Sequence, residues 1–133
     1  MTRLLLDTSG LSAIFQGRPE ALEAMRHASE VCLNPVVIGE VLAGWMKRGG
    51  RYEADLREFL SAPRVRVVEM NEETGRHYAA IHDSLRKAGT PVPTNDIWIA
   101  ASAMQHGLTV LTADRHFGLI KQIITETLPP SSP

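Results

Sequence analysis

The sequence predicts an α/β fold in three layers, α/β/α, with a mostly parallel central sheet of four or five strands. Three observations lead to this prediction: short apolar segments of strand length, longer segments with helical spacing between them, and short links that make the two kinds alternate. Parallel strands joined in this way require right-handed crossovers. Ligands of such sheets bind beyond the carboxyl ends of the strands, so a functional site is expected at that edge.

Five segments have the composition of β-strands. The first, RLLLD, is a short apolar run typical of a strand buried on both faces, and RVRVVEM alternates and is rich in valine. The segment KQIIT is a possible fifth strand, so four or five strands are predicted. The predicted strands are residues 3–7, 30–33, 64–70, 108–112 and 121–125.

Six segments combine helical spacing with start and stop signals. Asn34 is expected to cap the third helix, with Pro35 in its first turn and the glycine pair 49–50 ending it. Thr94 or Asn95 is expected to cap the sixth. The inner stripe of the long fifth helix is predicted to be Thr74, Tyr78, Ile81, Leu85 and Ala88. The predicted helices are residues 8–17, 19–28, 35–48, 52–61, 72–88 and 94–106.

Composition indicates one folded domain. A chain of 133 residues, 44% hydrophobic and 22% charged, supports one core, predicted to span residues 1–128 before a disordered tail at 129–133. With 14 basic and 15 acidic residues, the strongly basic balance of many nucleic-acid binders is missing. Cys32 is the only cysteine, which excludes an intramolecular disulfide and favours a cytoplasmic location. No stretch approaches a membrane span or resembles a signal peptide.

Four acidic residues fall where the predicted fold has its ligand-binding edge. Asp7 directly follows the first strand, and Asp114 follows the fourth after a single alanine. Asp96, in TNDIWIAASA, opens a helix, and helices begin at the edge where strands end. Glu40 lies two turns into its helix, at the border of the apolar stripe, where a carboxylate is partly desolvated.

Each acid also has an ordinary structural explanation. Asp7 and Asp114 suit turns or caps, Asp96 complements the positive end of the helix macrodipole, and Glu40 suits a solvated flank. Together, four carboxylates at one edge would raise one another's pKa unless a cation lies among them. Mg²⁺ takes oxygen ligands and is typically held by one or two carboxylates with waters and a substrate phosphate. The five histidines lack zinc-ligand spacing and are interpreted as surface or packing residues.

Three longer segments resemble a known family. LLLDTSGLSAIF, NPVVIGEVLAG and GTPVPTNDIWIAASAMQHGLTVLTADRHF are similar, in order and over nearly the whole chain, to the successive motifs of PIN-domain ribonucleases. The segments resemble in particular the toxin component of type II toxin-antitoxin pairs of the VapC type. It implies a PIN-like α/β/α domain that acts as a metal-dependent endoribonuclease. It also implies a cognate antitoxin that neutralises the toxin by reaching the acidic pocket with a basic side chain.

The resemblance also implies roles for individual residues. Asp7, Glu40, Asp96 and Asp114 would form the catalytic pocket, with Asp7 and Asp96 as the firmest ligands of Mg²⁺, for which Mn²⁺ can substitute. Asp114 would bind the metal directly or through water, and Glu40 would bind or orient the water. The supporting polar residues, which would position the carboxylates and the phosphate, are Thr8, Ser9, Asn95 and Thr112.

The family pattern further implies an RNA substrate, with transfer or ribosomal RNA expected, a homodimer and no membrane association. The chain departs from that pattern at two positions. Gly10 stands where a branched apolar residue is usual, which is expected to loosen the first helical turn. His116 stands where a further acid is common, which weakens the expectation of a second metal ion.

RNA docking requires positive side chains outside the acidic pocket. With the four acids set aside, 14 basic side chains stand against 11 acidic ones, a modest surplus. Aromatic residues are few, so base stacking is not indicated, and Trp98 is interpreted as a core or dimer-interface residue. The candidate docking residues are Lys47, Arg48, Arg51, Arg86, Lys87 and Arg115.

Two alternatives stay open. A receiver-like phosphoacceptor domain shares the alternating elements and an acidic metal pocket, but it needs paired acids after the first strand and an acceptor aspartate after the third. This chain offers Asp7 alone and the segment VVEMN. The second alternative is a catalytically silent PIN module that serves as a binding or autoregulatory partner of an antitoxin. The presence of all four acids argues against it.

Overall fold

The sheet of this protein has five parallel strands in the order β3-β2-β1-β4-β5. The structure is a computed structural model that describes residues 1–50 and 52–131. Arg51, a predicted docking cation, and residues 132–133 of the predicted tail lie outside the described residues. The strands are β1 (Thr2–Leu6), β2 (Ala28–Leu33), β3 (Val65–Val67), β4 (Thr109–Thr112) and β5 (Ile124–Thr127).

Helices connect each strand to the next across the two faces of the sheet. The chain crosses from β1 to β2 to β3 in one direction and then returns to β4 in the other. Because such crossovers are right-handed, the helices before β3 and those after it cover opposite faces, and the predicted three-layer fold is confirmed. The helices are α1 (Thr8–Phe15), α2 (Pro19–His27), α3 (Pro35–Met46), α4 (Glu53–Leu60), α5 (Glu72–Ala88), α6 (Thr94–His106) and a short 3-10 helix (Arg115–Leu119).

The strand order excludes the receiver-like alternative. In a flavodoxin-like sheet the order is 2-1-3-4-5, so the first strand lies between the second and the third. Here β1 lies between β2 and β4, and β3 is at the edge. The residues after β3 are Val68 and Glu69, so no aspartate occupies the acceptor position.

The core is built on the central strands. Leu4, Leu5 and Leu6 of β1 are all buried, which confirms the prediction of a strand covered on both faces. Helix α6 is buried along most of its length, because it packs on both the sheet and α5. This burial fixes the carboxyl ends of β1 and β4, from which the proposed site is built. None of the described helices is long and apolar enough to cross a membrane.

The helix starts agree with the sequence in one case and differ in another. Asn34 caps α3 as predicted, and its side chain accepts a hydrogen bond from the Val37 amide at 3.1 Å. Thr94 and Asn95 do not cap α6, because Pro93 occupies the cap position and makes no side-chain hydrogen bond there. Both residues lie in the first turn instead, which leaves the Asn95 amide available to another helix.

Predicted boundaries were wrong mainly at the edges of the sheet. Strand β3 is only three residues long, where residues 64–70 were predicted. Strand β5 begins at Ile124, not at residue 121, because the 3-10 helix and a turn take up the preceding chain. Ala88 is exposed, although it was assigned to the inner stripe of α5, because Gly89 in a left-handed conformation (φ 69°) ends the helix there. At the predicted tail, the Arg18 side chain donates a hydrogen bond to the Pro129 carbonyl.

Candidate active site

Asp7 lies at the carboxyl end of β1 and caps α1. Its Oδ1 accepts hydrogen bonds from the Gly10 amide at 2.6 Å and the Ser9 hydroxyl at 2.8 Å. Its Oδ2 accepts from the Thr112 hydroxyl at 2.6 Å. The residue is only 4% exposed, and burial raises its pKa, against the effect of these three donors. Asp7 is therefore the N-cap of α1, as its ordinary structural explanation predicted, and this capping role is compatible with a role in the site.

Two hydroxyl groups connect Asp7 to the segment that carries Asp114. The Ser9 hydroxyl accepts a hydrogen bond from the Ala113 amide at 2.9 Å while it donates to Asp7. The Thr112 hydroxyl likewise accepts from the Asp114 amide at 2.8 Å. Each hydroxyl thus joins a backbone amide after β4 to the carboxylate after β1. This network holds the two proposed ligands at a fixed spacing.

Gly10 allows the start of α1 to pack directly on the end of β4. A Cβ atom at this position would lie 2.2 Å from the Leu111 carbonyl oxygen, which is closer than atoms can approach. The expectation that Gly10 loosens the first turn was wrong, because its amide is bonded to Asp7 and the residue is buried. The glycine instead brings Ser9 within reach of the segment after β4.

Asp114 caps the 3-10 helix and contacts His116. Its Oδ1 accepts a hydrogen bond from the His116 amide at 2.9 Å and lies 2.8 Å from His116 Nδ1. His116 was interpreted as a surface or packing residue, and its side chain is 69% exposed, yet it contacts a proposed metal ligand. Its spacing of two residues from Asp114 was the only signal of this contact. The 3-10 turn that creates the contact was not predicted.

Glu40 connects three helices at the same edge. Its Oε1 accepts a hydrogen bond from the Thr8 hydroxyl of α1 at 2.7 Å, and its Oε2 accepts one from the side-chain amide of Asn95 on α6 at 3.2 Å. The glutamate itself is half-buried on α3, as predicted. Ser102 was not among the predicted site residues, although its hydroxyl accepts a hydrogen bond from the Asn34 side chain at 3.0 Å and connects the start of α3 to α6. A small polar residue inside an alanine-rich buried helix was the available signal.

Asp96 experiences the charge of all three other acids. Burial and then the charges of Asp114, Asp7 and Glu40 raise its pKa to about 6, and His116 opposes the rise. A simple partner of the helix macrodipole would have its pKa lowered, since the helix start favours the charged form. The dipole explanation is therefore insufficient for Asp96. The structure brings the four predicted acids together at one edge of the sheet.

The donor set fits a hydrated cation better than a fully enclosed one. Within residues 1–50 and 52–131, no three histidine, cysteine, aspartate or glutamate side chains converge closely enough to hold an ion by themselves. Mg²⁺ needs only one or two carboxylates, because it keeps several of its waters. All four candidates are oxygen donors, and the pKa of Asp96 is raised by burial and by the charges of the other three, with His116 opposing the rise.

The predicted docking cations divide into two groups. Arg86 and Lys87 both form ion pairs with Asp83, at 2.6 and 3.0 Å, so one carboxylate offsets part of their combined charge. Lys47, Arg48 and Arg115 have no ion pair in the part of the chain that the structure describes. Trp98 is partly buried and stacks on Tyr78 with ring centroids 4.1 Å apart, a packing contact between α6 and α5, and its place in a dimer interface stays a prediction.

Comparison with known proteins agrees with this architecture. The model of the PIN domain family matches residues 4–122. Ribonuclease VapC4 of Mycobacterium tuberculosis is 30% identical over 95 residues, which cover 70% of this chain and 73% of that protein. The tRNA(fMet)-specific endonuclease VapC of Salmonella typhimurium is 28% identical over 116 residues, 84% of this chain and 86% of that protein. The crystal structure of DNA-bound VapBC from Salmonella typhimurium contains a chain with a TM-score of 0.82 and 28% identity, covering 96% of this chain and 98% of that one.

A parallel sheet in this order, with carboxylates gathered beyond β1 and β4, is thus the setting of a PIN domain. The chain belongs to the PIN-domain family, among its VapC ribonucleases.

Proposed function

We propose that this protein is a Mg²⁺-dependent endoribonuclease toxin that hydrolyses RNA phosphodiester bonds at the site formed by Asp7, Glu40, Asp96 and Asp114. The observation that carries the proposal is the convergence of these four acids at the carboxyl edge of β1 and β4. The names of the VapC relatives, which are ribonucleases and an endonuclease, support the same activity.

The metal ion, Mg²⁺ or Mn²⁺, would lower the pKa of a bound water and neutralise charge that develops on the phosphate oxygens. Asp7, Asp96 and Asp114 are the residues proposed to hold it. Glu40 is proposed to orient the attacking water, since Thr8 and Asn95 fix its two oxygens. Ser9 and Thr112 would keep Asp7 and the Asp114 segment in register through the two hydroxyl bridges.

The proposal includes the partners of the toxin. A cognate antitoxin would neutralise it with a basic side chain, because a cation placed among four carboxylates relieves their repulsion as a metal does. One of the solved structures similar to this chain is a DNA-bound VapBC, which supports such a partner. A homodimer is proposed from the family alone. Transfer RNA is the first substrate to test, because one relative is named as a tRNA-specific endonuclease, and ribosomal RNA is the second.

The test is cleavage of end-labelled transfer and ribosomal RNA by the purified protein, with Mg²⁺ or with excess EDTA. Asp96→Asn is the site variant, and Asp55→Asn, an exposed acid in the first turn of α4, is the matched control. We expect discrete fragments from the wild type and from Asp55→Asn that disappear with chelator and with Asp96→Asn. Cleavage that persists in EDTA would rule out the metal mechanism. Metal binding without cleavage of any RNA would support the silent module.

A further inference from the structure

We propose that the groove between α1 and α3 is a binding subsite for a nucleotide of the RNA strand, next to the cleaved bond, with Arg48 contacting its phosphate. The inference rests on the proposed function and deepens it, since it states where the substrate strand leaves the acidic site.

The groove begins at the acidic site and follows two helices that run side by side. At one end, the Thr8 hydroxyl lies 2.7 Å from Glu40 Oε1. At the other end, the rings of Phe15 and Trp45 meet edge to face with centroids 5.4 Å apart. Thr8 and Phe15 are seven residues apart in one helix, so the two ends are separated by about 10 Å. The two helices that border the groove therefore lead from the proposed catalytic site to these rings.

A pocket of about 220 Å³ occupies the far part of this groove. Ser12 begins it one helical turn after Thr8, which is about 6 Å along α1. The lining combines aromatic rings, small polar groups and one guanidinium group, and consists of Ser12, Phe15, Gln16, Trp45, Arg48 and Tyr52. Single-stranded nucleic acids are bound by this combination, because rings contact base faces and arginine contacts phosphate. Base stacking was not predicted from the sequence, since these rings come together only through the packing of α1, α3 and α4.

The distribution of unpaired charge favours a polyanion in the groove. Most described arginines and lysines form ion pairs, and Arg64 donates to two backbone carbonyls. Within residues 1–50 and 52–131, five of these side chains have no ion pair: Arg64, whose guanidinium is bound to the two carbonyls, and Lys47, Arg48, Arg115 and Lys121. Lys47 and Arg48 lie at the end of α3, where Arg48 lines the pocket, and Arg115 follows Asp114 in the sequence. Cations without an ion pair therefore occur in the lining of the pocket, at Arg48, and beside a residue of the acidic site, at Arg115, and each can neutralise a phosphate group.

The face of α3 that runs from Glu40 to Lys47, next to the groove, carries only small residues. Lys47 is seven residues after Glu40, so the two share one face of the helix at a distance of about 10 Å. The residues between them on that face are Ala43 and Gly44, and Gly44 faces open space. A strand can therefore pass from Glu40 toward Lys47 without meeting a large side chain. An apolar peptide in the same place would desolvate Arg48 without matching its charge, which favours RNA as the occupant.

The test is equilibrium binding of a fluorescein-labelled RNA oligonucleotide of random sequence, followed by anisotropy in EDTA to prevent cleavage. Arg48→Ala is compared with the wild type and with Arg76→Ala, which removes the same charge from an exposed ion pair on α5. We expect Arg48→Ala to weaken binding several-fold and to lower the slope of log K against log salt by about 0.7, the value for one lost phosphate contact. Arg76→Ala should leave the slope unchanged.

A second measurement locates the RNA. In Trp98→Phe the only tryptophan is Trp45, whose emission should be quenched as the oligonucleotide saturates the protein. Unchanged affinity and slope in Arg48→Ala, unchanged Trp45 emission, or no RNA binding by the wild type would overturn the proposal and leave the groove to a protein segment.

The proposed ribonuclease function and the proposed subsite can fail separately. If Asp96→Asn abolishes cleavage while Arg48→Ala binds normally, only the subsite fails, and if Arg48 governs binding without any cleavage, only the ribonuclease function fails.

Discussion

Replacing Asp96 by asparagine should stabilise the metal-free protein while it removes activity. Burial and three neighbouring carboxylates raise the pKa of Asp96 from 3.8 to about 6. A shift of that size corresponds to roughly 3 kcal/mol of unfavourable free energy when the carboxylate is charged. Because the side chain is only half-buried, solvent screening reduces the expected gain to about 1 kcal/mol. For a domain of this length, that gain raises the melting temperature by roughly 3–5 °C.

The pH dependence of this effect has a defined sign. The pKa of Asp96 is higher in the folded protein than in the unfolded chain. The charged carboxylate therefore lowers the free energy of unfolding by its full amount above pH 6, and this destabilisation disappears as the pH falls toward 3.8. The advantage of Asp96→Asn in metal-free buffer should therefore be present at pH 7.5 and shrink in acid. Saturating Mg²⁺ should reverse it, because the wild type gains stability from a ligand that the variant binds more weakly.

Thermal unfolding in EDTA, at neutral and acidic pH, measures this prediction. Asp83→Asn is the control, because Asp83 is paired with Arg86 and Lys87 and its pKa is lowered by them. Removing that charge should not stabilise the protein at neutral pH. The reasoning is refuted if Asp96→Asn melts at or below the wild-type temperature at pH 7.5, or if its advantage grows in acid.

Three further predictions concern the framework of the site. Gly10→Ala should destabilise the protein by roughly 1–3 kcal/mol in urea unfolding, since its Cβ would overlap the Leu111 carbonyl. Gly75→Ala on α5, where a Cβ would meet open space, should instead stabilise the protein by about 0.5–1 kcal/mol. Asn34→Ser keeps a capping oxygen but removes the hydrogen-bond donor to Ser102, which should lower the free energy of unfolding by about 1–2 kcal/mol. Adding Ser102→Ala should recover part of that loss. If the effects of the two substitutions simply add, the Asn34–Ser102 hydrogen bond contributes nothing to stability. The Cys32 thiol, buried and with its pKa raised to about 12, should resist alkylation at pH 8 until the protein is denatured; rapid reaction of the native protein would contradict its burial.

The sequence predicted the central elements of the fold better than its edges. β1, β2 and β4 are runs of apolar residues whose burial on both faces leaves little choice of register, and they were found within two residues of their predicted bounds. β3 and β5 are edge strands with mostly exposed side chains, so no hydrophobic pattern fixes their ends. This is why β3 was predicted too long and β5 too early.

The approach of the acids to one another could be predicted, but their hydrogen bonds could not. Asp7 and Asp114 follow neighbouring parallel strands, so topology alone brings them to one edge. The bonds from Thr8 and Asn95 to Glu40 depend on how three helices pack, and the contact of His116 depends on an unpredicted 3-10 turn. Packing of this kind is a property of the whole fold, not of any local segment. The catalytic and metal-binding roles of these residues stay predictions.

The measurement that most directly tests the central claim is the rate of RNA cleavage as a function of free Mg²⁺ for the wild type and Asp96→Asn. If Asp96 is one of the carboxylates that hold the catalytic ion, the wild-type rate rises from zero in chelator to a plateau, and the variant needs far more metal or stays inactive. Equal rates for the two proteins at every metal concentration, or a wild-type rate independent of Mg²⁺, would contradict the account.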